Sequence, residues 1–435
     1  MEQSPDGTLL LLMELLTSEE SFFSQYSPLV KCLATYLENQ RFQDICVSNR
    51  VVERALSVLE RSCLFKDSLS TTEDVKILVQ LQLKLNQALS EVSASPLFLE
   101  YYPLDSQLSQ TLMFWLKAGD DQLQVCACVM LGNLARSDEM CEKMVQELNI
   151  HSLLISILSS DTRAAVLHSI LGFLKNLAIA NGNRLPLGDA GIVPAISRLW
   201  AFETVPQVQF AAISIARLVI ISSIENISPL LDSPDAESNT DSHETYLAML
   251  LFPFEKTDST PIKIEIGRIV ASICRTLTPK SREGDTKAKD LLERLFRLHE
   301  GIARPVGAMI TQTQWPVVRS EGWFAFALMA SCPAGSLSVS KCLEDSEVFS
   351  ILEQSLSVGA STNEEDRLKA SKDRDNIIVF VQELLKNEVR LHPIGLRARL
   401  IIQSGTLVES TRSRLEELMR NDVSQHLKNT RISDA

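Results

Sequence analysis

The chain has 435 residues, 45% of them apolar, and only 16 glycines and 16 prolines, so it can build an extensive core and general disorder is excluded. Its 42 Lys and Arg against 55 Asp and Glu give a formal charge of −13. That balance argues against nucleic acid as a partner, because phosphate contacts need clustered cations, and fits a basic partner better. Nine cysteines, an odd number set mostly at apolar helix positions, fit reduced thiols and show no metal-ligand spacing.

The opening run Leu9-Leu-Leu-Leu-Met-Glu-Leu-Leu16 is too short to span a bilayer and follows acidic Glu2 and Asp6, so it predicts an amphipathic helix and not a signal peptide. Glu2 excludes N-myristoylation, and the final Arg431-Ile-Ser-Asp-Ala435 has no cysteine to prenylate. The expectation is a soluble, cytoplasmic (cytosolic) protein with no integral membrane insertion. Helical apolar spacing then appears from Asn49 to Leu59 and from Val75 to Leu89.

The clearest pattern follows. Val125-Cys-Ala-Cys-Val-Met-Leu-Gly-Asn133-Leu-Ala recurs as Leu167-His-Ser-Ile-Leu-Gly-Phe-Leu-Lys-Asn176-Leu-Ala and as Val208-Gln-Phe-Ala-Ala-Ile-Ser-Ile-Ala-Arg217-Leu-Val, which sets Asn133, Asn176 and Arg217 at one position at intervals of 43 and 41 residues. A period of about 40 to 47 residues is that of armadillo and HEAT arrays, whose units bury their apolar sides against one another and leave an extended face for binding. Asn149 to Leu158 and Ala190 to Trp200 are the intervening second helices, the latter with Pro194 near its first turn.

Helical spacing continues from Ile262 to Leu277, Val317 to Ala330 and Ile377 to Leu385. The expected fold is all-α, an armadillo/HEAT-like helical solenoid of about seven repeats. Residues 1–117 are divergent N-terminal repeats, 118–230 the clear ones, 231–245 an acidic loop, 246–356 further repeats, 357–375 a polar linker and 376–435 a C-terminal helical cap. From Lys386 to Ala435 nine Lys and Arg face six Asp and Glu.

No Gly-rich phosphate loop, His-Glu-x-x-His pair or Gly-x-Ser-x-Gly elbow occurs, and the six histidines are scattered. The chain is therefore not expected to be an enzyme, nor to carry a cofactor or metal. Attention falls on the groove. The triplets Cys126-Val129-Asn133, Ser169-Gly172-Asn176 and Phe210-Ile213-Arg217 each lie on one helix face. Asn donates and accepts, which suits it either to hold an extended peptide backbone or to bridge its own helices; both remain open. Extending the register by 55 residues maps the rows onto Glu265, Arg268 and Ser272, with Glu321 on a comparable turn of the next unit. The groove then passes from a neutral to a charged part that would draw a basic peptide or tail.

The run Gln124-Val-Cys-Ala-Cys-Val-Met-Leu-Gly-Asn133-Leu-Ala-Arg-Ser-Asp138-Glu-Met-Cys141, with Leu174-Lys-Asn-Leu-Ala178, Val205-Pro-Gln-Val-Gln-Phe210 and Trp315-Pro-Val-Val-Arg-Ser-Glu-Gly-Trp323-Phe-Ala, resembles the SmgGDS family of small-GTPase GDP dissociation stimulators. The resemblance covers residues 118 to 222 best and extends to about 330. It implies an armadillo protein that binds Rho- and Rap-type small GTPases with polybasic, prenylated C-terminal tails, promotes loss of their nucleotide, and chaperones them. It further implies an acidic groove patch for the basic tail, for which Glu142, Glu265 and Glu321 stand at the corresponding places, and contact of later repeats with the GTPase switch region. The chain departs from the family in carrying Arg217 where the ladder has Asn, and in being shorter. The alternative is a non-exchange scaffold or importin-α-like peptide adaptor, against which Val129 and Gly172 stand where that ladder has Trp.

Overall fold

The computed structural model describes residues 5–17, 22–234, 245–312, 314–356 and 364–387, with residues 413 and 417. Among the described residues there are 23 α-helices, one short 3-10 turn and no strand. An opening pair, α1 (Gly7–Thr17) and α2 (Phe23–Leu37), precedes helices that come in threes. The first groups are α3 (Gln40–Ser48), α4 (Val52–Leu64) and α5 (Thr72–Ala94); α6 (Phe98–Tyr101), α7 (Gln107–Trp115) and α8 (Asp121–Leu134); then α9 (Asp138–Gln146), α10 (Ile150–Ser160) and α11 (Ala164–Ile179). The fourth is α12 (Arg184–Asp189), α13 (Ile192–Ser197) and α14 (Pro206–Ile220). The last three are α15 (Ile224–Leu230), α16 (Tyr246–Lys256) and α17 (Thr260–Arg282); α18 (Thr286–Leu298), α19 (Arg304–Ile310) and α20 (Pro316–Met329); and α21 (Pro333–Cys342), α22 (Ser346–Leu356) and α23 (Glu364–Lys386). Seven three-helix groups match the expected repeat number, and the period is the armadillo one. The chain divides into two compact units, Met1–Ala195 with Thr204–Ala211, and Ile196–Glu203 with Ala212–Ala435.

In the first unit the third helices α5, α8 and α11 pack in sequence. Their apolar positions recur every three or four residues, so one side of each is covered: Leu123, Ala127, Met130, Leu131 and Leu134 on α8, and Leu167, Ile170, Leu171, Leu174 and Leu177 on α11 are buried. Helix starts are set by short polar side chains. Thr71, Ser106, Asp120 and Ser137 each accept a hydrogen bond from a backbone N–H in the following turn. The step from first to second helix uses a left-handed residue, Arg50 before α4, Asn149 before α10 and Gly191 before α13, which is why Asn and Gly stand there in two of three repeats.

In the second unit α17, α20 and α23 form a comparable series around Trp323, Phe326 and Phe380, whose ring centroids lie 5.7–6.2 Å apart. Proline opens α17, α19, α20 and α21, where its missing N–H costs no helix bond. One boundary differs from expectation. Residues 364–375, assigned to the polar linker, are the first half of α23. Their polarity misleads because part of it is used in packing: Asp373 is buried in an ion pair with Arg319, and just beyond them Asn376 donates to the Ser320 carbonyl at 3.2 Å. The acidic loop between 235 and 244 and nearly all of the cap beyond Asn387 lie outside the described residues. Among the described residues no single helix is long and apolar enough to cross a membrane.

Candidate functional site

The expected groove residues of the first unit serve mainly to tie neighbouring third helices together. Asn133 donates to the Ser90 carbonyl at 3.0 Å and the Ser93 hydroxyl at 2.9 Å on α5, which uses both of its amide hydrogens. Asn176 donates to the Gly132 carbonyl on α8 at 3.0 Å, and Asn86 donates to Gln122 Oε1 at 2.9 Å. Of the two roles open for these amides, bridging between helices is the one their donors perform. Ser169 and Cys126 are buried, and the Ser169 hydroxyl donates to the Val166 carbonyl at 2.9 Å. The side left to solvent runs instead through Val125, Val129 and Asn133 on α8 and through His168, Gly172 and Ile179 on α11. Glu142 sits on the first helix α9, its carboxylate occupying the space that a Cβ on Gly182 would need. Phe210 is half-buried on α14.

In the second unit four predicted residues come together. Arg217 on α14 pairs through Nε with Glu265 Oε1 on α17, Glu265 Oε2 lies 4.0 Å from Arg268 Nη1, and Arg268 Nε bonds Glu321 Oε2 on α20 at 2.9 Å. Glu265 is only 5% exposed. Guanidinium groups flank this buried carboxylate on two sides. The same device continues one step further, where Arg319 Nε bonds Asp373 Oδ2 on α23 at 2.8 Å. Arg319 and Asp373 escaped the sequence reading, although a signal existed: a basic residue is answered by an acidic one 48, 53 and 54 residues later, about one repeat on.

Glu265 therefore offers no free carboxylate to a ligand, and Glu321 is committed to Arg268. Two adjoining clefts open beside this ladder. One, of about 320 Å³, is lined by Arg217, Arg268, Ser272, Arg275 and Thr276 among others; the second, of about 550 Å³, by Arg275, Val317, Ser320, Phe324, Lys372 and Asn376. Ser272 lies in the wall of the smaller cleft. No group of His, Cys, Asp and Glu among the described residues has the form of a metal site. Burial pushes the thiols of Cys46, Cys63, Cys128 and Cys342 up to about 12, far from the thiolate state that nucleophilic chemistry requires. The arrangement is suited to binding through charge, shape and exposed apolar side chains.

No family model matches the chain. It is similar to Rap1 GTPase-GDP dissociation stimulator 1-B of Xenopus laevis, 23% identical over 364 residues, covering 82% of this chain and 53% of that protein. It is also similar to the GTPase-GDP dissociation stimulator vimar of Drosophila melanogaster, 22% identical over 254 residues, or 53% of this chain and 38% of the relative. These relatives are GDP dissociation stimulators. The chain spans about half the length, or less, of the curated relatives it matches. Among solved structures, the crystal structure of an engineered protein aligns with a TM-score of 0.56 at 18% identity, over 97% of this chain and 92% of the other, and supports the fold alone.

Proposed function

We propose that this chain binds a small GTPase of the Rho or Rap type in the cytosol and regulates its nucleotide state as an exchange factor, a chaperone, or both. The observation that carries this is the similarity to Rap1 GTPase-GDP dissociation stimulator 1-B over 82% of the chain. Such a function needs no acid–base residue. A binder that prefers the GTPase with its switch segments displaced lowers nucleotide affinity through that difference alone. A polybasic, prenylated tail would be drawn to the first unit. Residues 1–195 hold 23 Asp and Glu against 14 Lys and Arg, whereas Glu265 and Glu321 have their charges met within the chain. Exposed Asp138 and Glu139, with half-buried Glu142, lie on α9, which follows the amide-bridged helix α8. The peptide-adaptor alternative is disfavoured, because the donors of Asn133 are already spent on α5.

The test is release of labelled GDP from Rho-like and Rap-like GTPases, with pull-downs of the GDP-loaded, GTP-loaded and nucleotide-free forms. Faster release and tightest capture of the nucleotide-free form, both weakening as salt rises, are expected. Tight but nucleotide-blind capture would leave chaperoning and remove exchange. No capture in any nucleotide state would overturn the proposal.

A further inference from the structure

We infer that the larger cleft, formed by α17, α20 and α23, is a docking site for an acidic segment of a partner protein that carries an apolar anchor. The overall charge of −13 makes this the less obvious polarity, and the local pairing decides it. The carboxylates that line the cleft are Glu321 and Asp373, and both are taken, by Arg268 and Arg319. Arg275 and Lys372 also line it, both are exposed, and neither forms an ion pair among the described residues. The surface beside the ladder is thus left with two uncommitted cations and no uncommitted lining carboxylate.

Arg275 is also held in a geometry that favours a carboxylate. Its guanidinium lies over the Phe324 ring, 5.5 Å from the centroid, and the side chain is exposed. The guanidinium fork fits a carboxylate with two parallel hydrogen bonds, and the stacking reduces the freedom lost on binding. Apolar surface lies next to it. Val317 is 63% and Phe324 39% exposed, two turns apart on α20, and both line the cleft. Asn376 donates to Ser320, which leaves its carbonyl oxygen to accept from a partner backbone N–H. A basic or purely polar segment would leave either the cations or the apolar strip unmatched. An acidic side chain at Arg275 followed by an apolar one over Val317 and Phe324 matches both.

The test uses the full chain and a fluorescein-labelled twelve-residue peptide, three copies of Glu-Leu-Asp-Phe, followed by anisotropy. Two control peptides replace the acids by Lys or the apolar residues by Ser. Saturable binding of the acidic–apolar peptide alone is expected. Arg275→Glu should weaken it by about tenfold or more, as loss of a charge-assisted hydrogen bond does. Phe324→Ser should weaken it by about fivefold, because it removes both the apolar contact and the stacking support. Arg275→Lys should recover part of the loss. Arg275 and Phe324 are exposed, so unchanged circular-dichroism melting midpoints serve to show that the variants remain folded. Equal binding of the Lys peptide, or no response to either Arg275→Glu or Phe324→Ser, would overturn the inference. The assay contains no GTPase, so its failure is distinguishable from failure of the proposed function.

Discussion

Replacing Arg217 by Met removes one of the two cations beside Glu265. The carboxylate it leaves behind is buried, with its side chain 6% exposed, and its remaining cation, Arg268, is 4.0 Å away and already engaged at 2.9 Å with Glu321. Breaking a buried pair by deleting one partner costs about 3–5 kcal/mol. The Arg217 side chain is 25% exposed and Arg268 persists, so the expected cost here is smaller, about 2–4 kcal/mol. Replacing Glu265 as well, by Met, removes the orphaned charge and still leaves Arg268 its partner Glu321. The double variant should therefore lie within about 1 kcal/mol of the parent, with an Arg217–Glu265 coupling of about 2–3 kcal/mol. A repeat array of this length does not have to unfold in one step, so the measurement is hydrogen exchange of α17 amides by mass spectrometry, which reports the local opening free energy. Additive losses, with a coupling below about 0.5 kcal/mol, would refute the reasoning and show that water screens Glu265 from Arg217.

Leu174 on α11 is fully buried, and Leu174→Ala should cost about 2–5 kcal/mol, read as a lowered melting midpoint; an unchanged midpoint would refute its place in the core. Burial lowers the His299 imidazole from 6.5 to about 4, next to Thr245 Oγ1 at 3.2 Å, so it stays neutral in the folded chain while the unfolded chain takes up a proton near 6.5. The stability it protects is complete above about pH 6.5 and declines by up to about 3 kcal/mol as pH falls toward 4, and a His299→Asn variant should show a flatter pH profile of urea midpoints across that window. Two glycines should respond oppositely to alanine. At Gly172 a Cβ meets nothing within 4 Å and better helix propensity should add about 0.5–1 kcal/mol, whereas at Gly267 it would lie 2.6 Å from the Pro305 carbonyl and destabilise by about 1–3 kcal/mol, both measurable by thermal unfolding.

The repeat was legible because its cause is local. The 3.6-residue spacing of Leu123, Met130 and Leu134, and of Leu167, Leu174 and Leu177, is the condition for covering one helix face, and it survives in any single unit. The position shared by Asn133, Asn176 and Arg217 was visible for the same reason, since each is half-buried at the seam between third helices. What the pattern did not reveal was how the polar atoms are spent. A free groove carboxylate and a buried, doubly paired one look alike in sequence, and Glu265 is the second kind. Ser169 illustrates a related ambiguity, because one residue of rotation on a helix separates the solvent-facing His168 from the buried Ser169. The start of α23 reads as linker in part because Asp373 contributes polarity whose partner, Arg319, lies about one repeat earlier.

The two kinds of seam have a consequence for charge. Amide bridges such as those of Asn133 and Asn176 consume donors and carbonyls but no net charge, and although Arg41 pairs with Asp6 and Arg163 with Asp121 and Asp161, residues 1–195 keep a surplus of nine acids. Ion-pair seams consume acids and bases together, and those between α14, α17, α20 and α23 withdraw Glu265, Glu321 and Asp373 from the pool that a ligand meets. Arg275 and Lys372 then outweigh what remains beside the cleft. One repeat architecture can in this way present an acidic field in one unit and a cationic cleft in the other. The two proposed ligands are of opposite sign, and both encounters should weaken with salt. A charge reversal at Arg275 should therefore affect only the acidic segment, while a reversal at Glu139 should affect only the basic tail.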